Sequence, residues 1–234
     1  MKKIVFYGLF LILLGWQVSA AERTGVLIDP GHSPKAPGVV SCDGIPEHEY
    51  NDYLAYVLAS YLEGRNIPAG ITRTFQEEKN LKLRTQDSGK YRLFLSLHHD
   101  SVQAQFMSQR SREGNCSEKA KGFSIFVSPK NRYYENSIQC AYALGTALRE
   151  AGLMPSLHHA ERVTGEYRKL LDSARGIYAW DDLIVLKTAD APALLLEAAV
   201  IVHPQEARDA NSERFRDAVA EAVYKTLMKC DIVR

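Results

Sequence analysis

The chain has 234 residues, of which 46% are hydrophobic and 24% are charged, and this length allows one domain with a sizeable hydrophobic core. Its formal net charge of +1 falls to −1 if residues 1–20, which contain Lys2 and Lys3 and no acidic residue, are removed. A net charge near zero argues against a nucleic-acid partner, and so does the absence of a dense block of basic residues interleaved with aromatic residues.

Residues 1–20 have the three-part pattern of a secretory signal peptide. Two lysines precede an uncharged apolar run over 4–16, and small residues precede the expected cleavage point after Ala20. The run is shorter than the about 20 apolar residues that a membrane-spanning helix needs. We therefore expect an exported protein, periplasmic or extracellular, with a single domain over 21–234 and no stable membrane anchor after cleavage.

Short apolar runs alternate along the chain with segments of helical periodicity. The predicted strands cover 25–29, 68–73, 92–98, 122–128, 183–187 and 193–197. The predicted helices cover 47–63, 133–151 and 212–229. Because the strands are almost continuously apolar, the sequence predicts an α/β fold. We expect a single-domain sandwich with a largely parallel, roughly six-stranded central sheet covered by helices on both faces.

Four cysteines follow the predicted signal peptide, and none of them forms a Cys-x-x-Cys motif. In an exported chain this spacing favours disulfides over a thiolate metal site. Four cysteines allow three pairings. Cys42 and Cys116 lie in polar, glycine-containing loops, whereas Cys140 and Cys230 lie in helical patterns. We therefore favour one disulfide between the two loop cysteines and one between the two helix cysteines.

Polar residues lie at or just after the carboxyl ends of three predicted strands. They are His32 after "LIDPG", His98 and His99 after "LFLSL", and Glu197 after "LLL". A polar side chain on a buried strand needs a partner, because its desolvation is otherwise unfavourable. Since side chains alternate along a strand, only one of His98 and His99 can join a compact site, and the alternation does not choose between them.

The predicted helix over 47–63 places a carboxylate on its inner face. An apolar stripe with helical spacing runs from Tyr50 to Tyr61, and extending it back by three residues reaches Glu47. Glu49 is rotated about 200° from Glu47 and is expected to face solvent. A glutamate that served only the helix dipole would point outward, which the stripe disfavours for Glu47.

Two histidines and an inward carboxylate make a ligand set that zinc uses in catalytic sites, with a position left for water. A further carboxylate near that water would act as general base, and Glu197 fits this role. The motifs His-Glu-x-x-His and Gly-x-Ser-x-Gly are absent, which argues against a helix-borne protease zinc site and a serine hydrolase. We expect His158 and His159 to be solvated or adjacent to substrate rather than ligands.

An ordered series of segments resembles the zinc-dependent N-acetylmuramoyl-L-alanine amidases of the amidase-3 type. The segments are "VLIDPGH", "PEHEYNDYLA", "ITR", "LKLR", "LFLSLHHD", "GFSIFVS" and "ALLLEAAVIVHPQE". The resemblance implies that His32, Glu47 and His98 bind one zinc ion per chain and that Glu197 is the catalytic acid/base. It also implies cleavage of the amide between the lactyl group of N-acetylmuramic acid and L-alanine of the peptide stem.

The implied substrate is peptidoglycan or a muropeptide, acted on by a monomer, and the sequence identifies no protein activator. Two alternatives remain: a catalytically silent peptidoglycan-binding protein on the same fold, and a zinc peptidase of the stem peptide. Some relatives carry a helix that blocks the zinc. In this chain only the connection over 152–176 is long enough to cover a cleft, and it is equally compatible with a loop that contacts substrate.

Overall fold

The structure is a computed structural model that describes residues 23–75, 77–107, 116–165 and 167–230. The predicted signal peptide over 1–20 lies outside the described residues. Within the described ranges, no helix has both the length and the apolar character needed to cross a membrane.

A seven-stranded sheet forms the centre of the described chain. Its strands are β1 (Val26–Pro30), β2 (Ala69–Ile71), β3 (Leu93–Asp100), β4 (Ser124–Val127), β5 (Lys169–Asp172), β6 (Ile177–Ala179) and β7 (Ala193–Val200). They lie in the order β2-β1-β3-β7-β4-β6-β5. Neighbouring strands are parallel except for the pairs β4–β7 and β5–β6. The predicted α/β fold with a largely parallel sheet is confirmed.

Six α-helices accompany the sheet in the described ranges. They are α1 (Glu47–Glu63), α2 (Leu81–Arg84), α3 (Tyr134–Glu150), α4 (Ile184–Thr188), α5 (Pro204–Ala210) and α6 (Glu213–Lys229). The three predicted helices correspond to α1, α3 and α6. The short helices α2, α4 and α5 were not predicted, because each has too few turns to display a periodicity.

The predicted strand over 183–187 is wrong, because this segment forms helix α4. Its consecutive apolar residues Val185 and Leu186 are both buried, as one side of a short helix rather than as a strand between two layers. A short apolar run does not distinguish these cases. The sheet reaches seven strands through β5 and β6, which the sequence did not predict. β5 has no buried residue and β6 has only three residues.

The two faces of the sheet are covered differently. Helices α1, α3 and α6 pack over one face, which includes Leu95 of β3. On the other face, Val185 and Leu186 of α4 cover Phe94. Successive strand side chains point to opposite faces, so Phe94 and Leu95 belong to separate cores. Burial of each such side chain stabilises the fold by about 1.5–3 kcal/mol.

Two disulfides join segments that are distant in sequence. Cys42 is bonded to Cys116, and Cys140 at the middle of α3 is bonded to Cys230 after α6. The predicted pairing is confirmed. The first bond ties the loop after β1 to the chain before β4, and the second ties together two helices of the same layer.

Candidate metal centre

Four side chains from three neighbouring strands and one helix meet at the carboxyl edge of the sheet. Strands β1, β3 and β7 are adjacent and parallel, so their carboxyl ends lie side by side. His32 follows β1, and Glu197 of β7 lies opposite His98 of β3 in the strand register. Glu47 is the first residue of α1. Ligands commonly bind at this edge of open α/β sheets.

The backbone of His32 has a φ of 60°, in the left-handed region that residues other than glycine seldom adopt. Arg84 donates a hydrogen bond to the carbonyl oxygen of His32 at 2.6 Å. The Nδ1 atom of His32 lies 3.1 Å from the carbonyl oxygen of Ala36. Because a carbonyl oxygen only accepts, Nδ1 carries the hydrogen, and Nε2 faces Glu47 at 3.1 Å from its Oε2.

Glu47 is buried between two imidazole rings, with 4% of its surface exposed. Its Oε2 lies 3.1 Å from Nε2 of His32, and its Oε1 lies 3.1 Å from Nδ1 of His98. Asn51 also donates to Oε1 at 3.1 Å. Burial opposes ionisation, but the close contacts with the imidazole rings of His32 and His98 outweigh it and hold the pKa of Glu47 below its usual range. Glu49 is only partly buried and contributes nothing to this contact.

The two histidines near the end of β3 have different surroundings. His98 lines a cavity, whereas His99 is 2% exposed and packs against Tyr50 of α1. The Nδ1 atom of His99 lies 2.8 Å from Oδ1 of Asn51. Burial lowers the pKa of His99 to about 4, so its ring is neutral at pH 7. His99 therefore supports α1, and His98 faces Glu47.

His32, Glu47 and His98 form a group that we call the first cluster, with one atom from each lying within 4.8 Å of the others. Zinc bonds of roughly 2.0–2.2 Å in a tetrahedral arrangement put ligand atoms about 3.4 Å apart. The observed separations from Glu47 to each histidine, 3.1 Å, are close to this value. A Cβ atom on Gly31 would overlap the ring of His98, and one on Gly38 would overlap the carboxylate of Glu47. The donor set and the room around it fit zinc.

Glu197 lines the same cavity as His32 and His98. This cavity has a volume of about 790 Å³. The Oε2 atom of Glu197 is buried and accepts no hydrogen bond from any residue that the structure describes. Burial raises the pKa of Glu197 well above its usual range, and the negative charges of Asp100 and Glu47 raise it further. A carboxyl group with a raised pKa is suited to accept and return a proton near neutral pH.

Three residues support the first cluster in ways that the sequence analysis did not predict. Asn51 and Arg73 each donate to the carbonyl oxygen of Gly31 at 3.2 Å. The buried side chain of Arg84 donates to the carbonyl oxygen of Pro30 at 3.1 Å. These bonds fix the turn that leads from β1 to the first histidine. Arg73 and Arg84 belong to the segments "ITR" and "LKLR", which contributed to the family resemblance without a role of their own.

His158 and His159 are not solvated, which contradicts that part of the prediction. The Oδ2 atom of Asp100 lies 2.8 Å from Nε2 of His159 and 3.4 Å from Nε2 of His158. None of the three side chains exposes more than 10% of its surface. We call these residues the second cluster. The prediction failed because the polarity of the connection suggested solvent, whereas the partner is a carboxylate about 60 residues away in sequence.

The connection over 152–176 leaves the cavity of the first cluster open in the part of the chain that the structure describes. None of its described residues lines the cavity. The connection is held beside it instead. Strand β5 pairs with β6, and the guanidinium of Arg168 lies 4.0 Å from the centre of the ring of Trp180, a cavity residue.

Comparison with known proteins identifies one family along most of the chain. A family model described as N-acetylmuramoyl-L-alanine amidase (Amidase_3) matches residues 26–229. The probable N-acetylmuramoyl-L-alanine amidase AmiB of Haemophilus influenzae is 25% identical over 252 residues, which cover 97% of this chain and 56% of AmiB. The N-acetylmuramoyl-L-alanine amidase AmiC of Neisseria meningitidis is 26% identical over 226 residues, which cover 86% of this chain and 51% of AmiC. The chain thus spans about half the length of these relatives.

Solved structures share the fold at low sequence identity. The catalytic domain of the amidase CwlV from Bacillus (Paenibacillus) polymyxa var. colistinus superposes with a TM-score of 0.67 and 21% identity, covering 90% of this chain and 99% of that domain. The apo form of the amidase Ami1 from Mycobacterium abscessus gives a TM-score of 0.69 and 20% identity, and the match covers 90% of this chain and 99% of that chain. The match over 26–229 shows that this chain belongs to the N-acetylmuramoyl-L-alanine amidase family of the amidase-3 type.

Proposed function

We propose that the chain is a zinc-dependent peptidoglycan hydrolase that cleaves the amide between the lactyl group of N-acetylmuramic acid and L-alanine of the stem peptide. The observation that carries the proposal is the meeting of the first cluster and Glu197 at one cavity. Membership of the amidase family supports the reaction class. The volume of the cavity, about 790 Å³, is in the usual range for small-molecule sites and has room for the junction of a sugar and a peptide.

The first cluster and Glu197 have different roles in the proposed reaction. His32, Glu47 and His98 would hold the zinc ion, which supplies Lewis acidity toward the scissile carbonyl and the attacking water. Glu197 takes a proton from the water that attacks the carbonyl carbon. It then returns the proton to the nitrogen of the leaving L-alanine as the carbon–nitrogen bond breaks. Asn51, Arg73 and Arg84 hold the turn before His32 and so keep the metal ligands in place.

The substitution Glu197→Gln tests the proposal, because it removes the proton acceptor and keeps the size of the side chain. We expect the release of stem peptides to fall by roughly 10²–10⁴-fold, the usual contribution of general acid–base catalysis, while the bound zinc is retained. Mass spectrometry of wall digests should detect peptides that begin with alanine and disappear after chelation. A wild-type protein that binds wall fragments without releasing peptides would instead be a silent binding protein. Products cut inside the stem would indicate a peptidase.

We also propose that the protein is exported, as a monomer, to the periplasm or the extracellular space and that its domain over 21–234 acts there on peptidoglycan. The apolar run over 4–16 supports export, and the two disulfides are typical of oxidising compartments. N-terminal sequencing of the secreted protein should begin at Ala21. An intact N-terminus on the exported protein would contradict cleavage after Ala20.

A further inference from the structure

The second cluster brings two imidazole rings to one buried carboxylate oxygen. The Nε2 atoms of His159 and His158 lie 2.8 and 3.4 Å from Oδ2 of Asp100, and the centres of the two rings are 3.9 Å apart. One ligand-type atom from each residue lies within 4.8 Å of the others. The separations resemble those of the first cluster, where zinc ligands of the same chemical types converge.

The rings of the second cluster are held in place by their neighbours. Ser156 Oγ lies 2.9 Å from Nδ1 of His158, and this contact turns Nε2 toward Asp100. The ring of His159 packs edge to face against Phe126 and Tyr178, which belong to β4 and β6. Such outer contacts orient histidine ligands and fix which nitrogen faces a metal. The arrangement is therefore built from buried groups and not from mobile surface side chains.

The backbone that carries the two histidines is also fixed. The amide of Arg168 donates to the carbonyl oxygen of His159 at 2.7 Å, and the amide of Ser156 donates to that of Phe123 at 2.7 Å. The hydroxyl of Tyr178 donates to the carbonyl oxygen of Ser156 at 2.8 Å. Little reorganisation is needed for both Nε2 atoms to reach one ion, which lowers the cost of binding.

We propose that Asp100, His158 and His159 form a second metal site, distinct from the first cluster, that binds a divalent ion of the zinc type. Imidazole ligands select Zn²⁺, Co²⁺, Ni²⁺ or Cu²⁺ over Ca²⁺ and Mg²⁺, which prefer oxygen donors. The ion fastens the turn at 158–160 to the end of β3. This site does not depend on the proposed function.

Metal stoichiometry of the full mature chain tests the proposal. The chelated protein is titrated with Zn²⁺ against a chromophoric chelator, and Co²⁺ binding is followed by its visible absorption. We expect two equivalents in the wild type and one in Glu47→Gln, which leaves the second cluster untouched. We expect one equivalent in His158→Gln and none in the double variant. His203→Asn alters a histidine outside both clusters and should keep two equivalents.

Three outcomes separate the two sites. One equivalent in the wild type and none in Glu47→Gln would overturn the second site, as would two equivalents in His158→Gln. One equivalent in both the wild type and Glu47→Gln, lost in His158→Gln, would support the second site and contradict the zinc centre of the proposed function. Because Glu47→Gln does not alter the second cluster, misfolding of His158→Gln leaves the first comparison decisive. Circular dichroism of each variant identifies such misfolding.

Discussion

The first and the second cluster have the same composition but differ in their access to solvent. Each contains two histidines and one carboxylate, and each includes a residue near the end of β3. In the first cluster, His32 exposes 33% of its side chain beside a large cavity. In the second cluster no side chain exposes more than 10%. Catalytic zinc sites keep an open position and structural sites do not.

This difference shows that the types of side chain in a cluster do not by themselves indicate what the cluster does. The first cluster faces a cavity that also contains Glu197, so a substrate and a proton acceptor can meet there. The second cluster is closed by the turn at 158–160. We therefore expect changes in the first cluster to affect the reaction and changes in the second to affect local order.

The largest effect is expected from Glu47→Gln compared with Glu49→Gln. Both residues lie in the first turn of α1, so both substitutions remove a similar favourable interaction with the helix dipole, about 0.3–1 kcal/mol. Only Glu47 contacts His32 and His98. We expect zinc affinity and wall hydrolysis to fall by more than about 100-fold in Glu47→Gln, because loss of even an indirect partner of a ligand costs roughly 10–100-fold. Glu49→Gln should match the wild type in zinc affinity and in wall hydrolysis. Equal losses in both variants would contradict the assignment of Glu47.

A smaller effect on the first cluster is expected from Arg84→Lys. Two nitrogens of the Arg84 guanidinium donate to the carbonyl oxygens of Pro30 and His32. The single ammonium group of a lysine cannot reproduce this pair of hydrogen bonds. Leaving buried carbonyls without donors should lower the free energy of unfolding by about 1–3 kcal/mol. Zinc affinity should fall by roughly 10–100-fold at the first cluster only. Thermal unfolding and chelator competition measure both effects, with the exposed Lys82→Ala on the same helix as control. An equal loss of affinity at both clusters would indicate general destabilisation.

The sequence predicted the first cluster better than the second for a physical reason. Glu47 lies on a 17-residue helix whose apolar stripe shows which side of the helix is buried. The strand pattern likewise put the side chains of His98 and His99 on opposite faces, although it did not determine which face held the site. The second cluster depends on the turn at 158–160, whose position is set by tertiary contacts and not by any periodicity. Strands β5 and β6 and helix α4 were not predicted because each has only three to five residues, too few to show a clear periodicity.

The next effect concerns local order in the second cluster. It is measured in Glu47→Gln, in which we expect no zinc binding at the first cluster. Zn²⁺ at about 100 times its dissociation constant stabilises the bound form by about 2.7 kcal/mol, which slows amide exchange by up to about 100-fold where opening breaks the site. We expect this slowing at the amide of Arg168, which donates to His159, and around 156–160. Hydrogen-exchange mass spectrometry measures it, with peptides of α6 as the unaffected reference. Identical exchange with and without Zn²⁺ would exclude a fastening role.

The smallest effect comes from Glu206, a half-buried carboxylate that accepts hydrogen bonds from the backbone amides of Gly122 and Val200 at 2.8 Å. Burial raises its pKa above 4.5, although these bonds and the nearby charges of His203 and Lys121 act in the opposite direction. Between pH 4.5 and the raised pKa, the folded state therefore keeps a proton that the unfolded state has lost.

The free energy of unfolding should consequently decrease as pH rises through this window. In Glu206→Gln this contribution should be absent. Urea unfolding of the chelated wild type and variant at several pH values measures the difference, because chelation removes bound metal and the other titrating groups are shared by both proteins. A difference between the two proteins that does not change with pH would contradict the raised pKa. A wild type that loses stability relative to the variant with rising pH would confirm that the folded protein raises the pKa of Glu206.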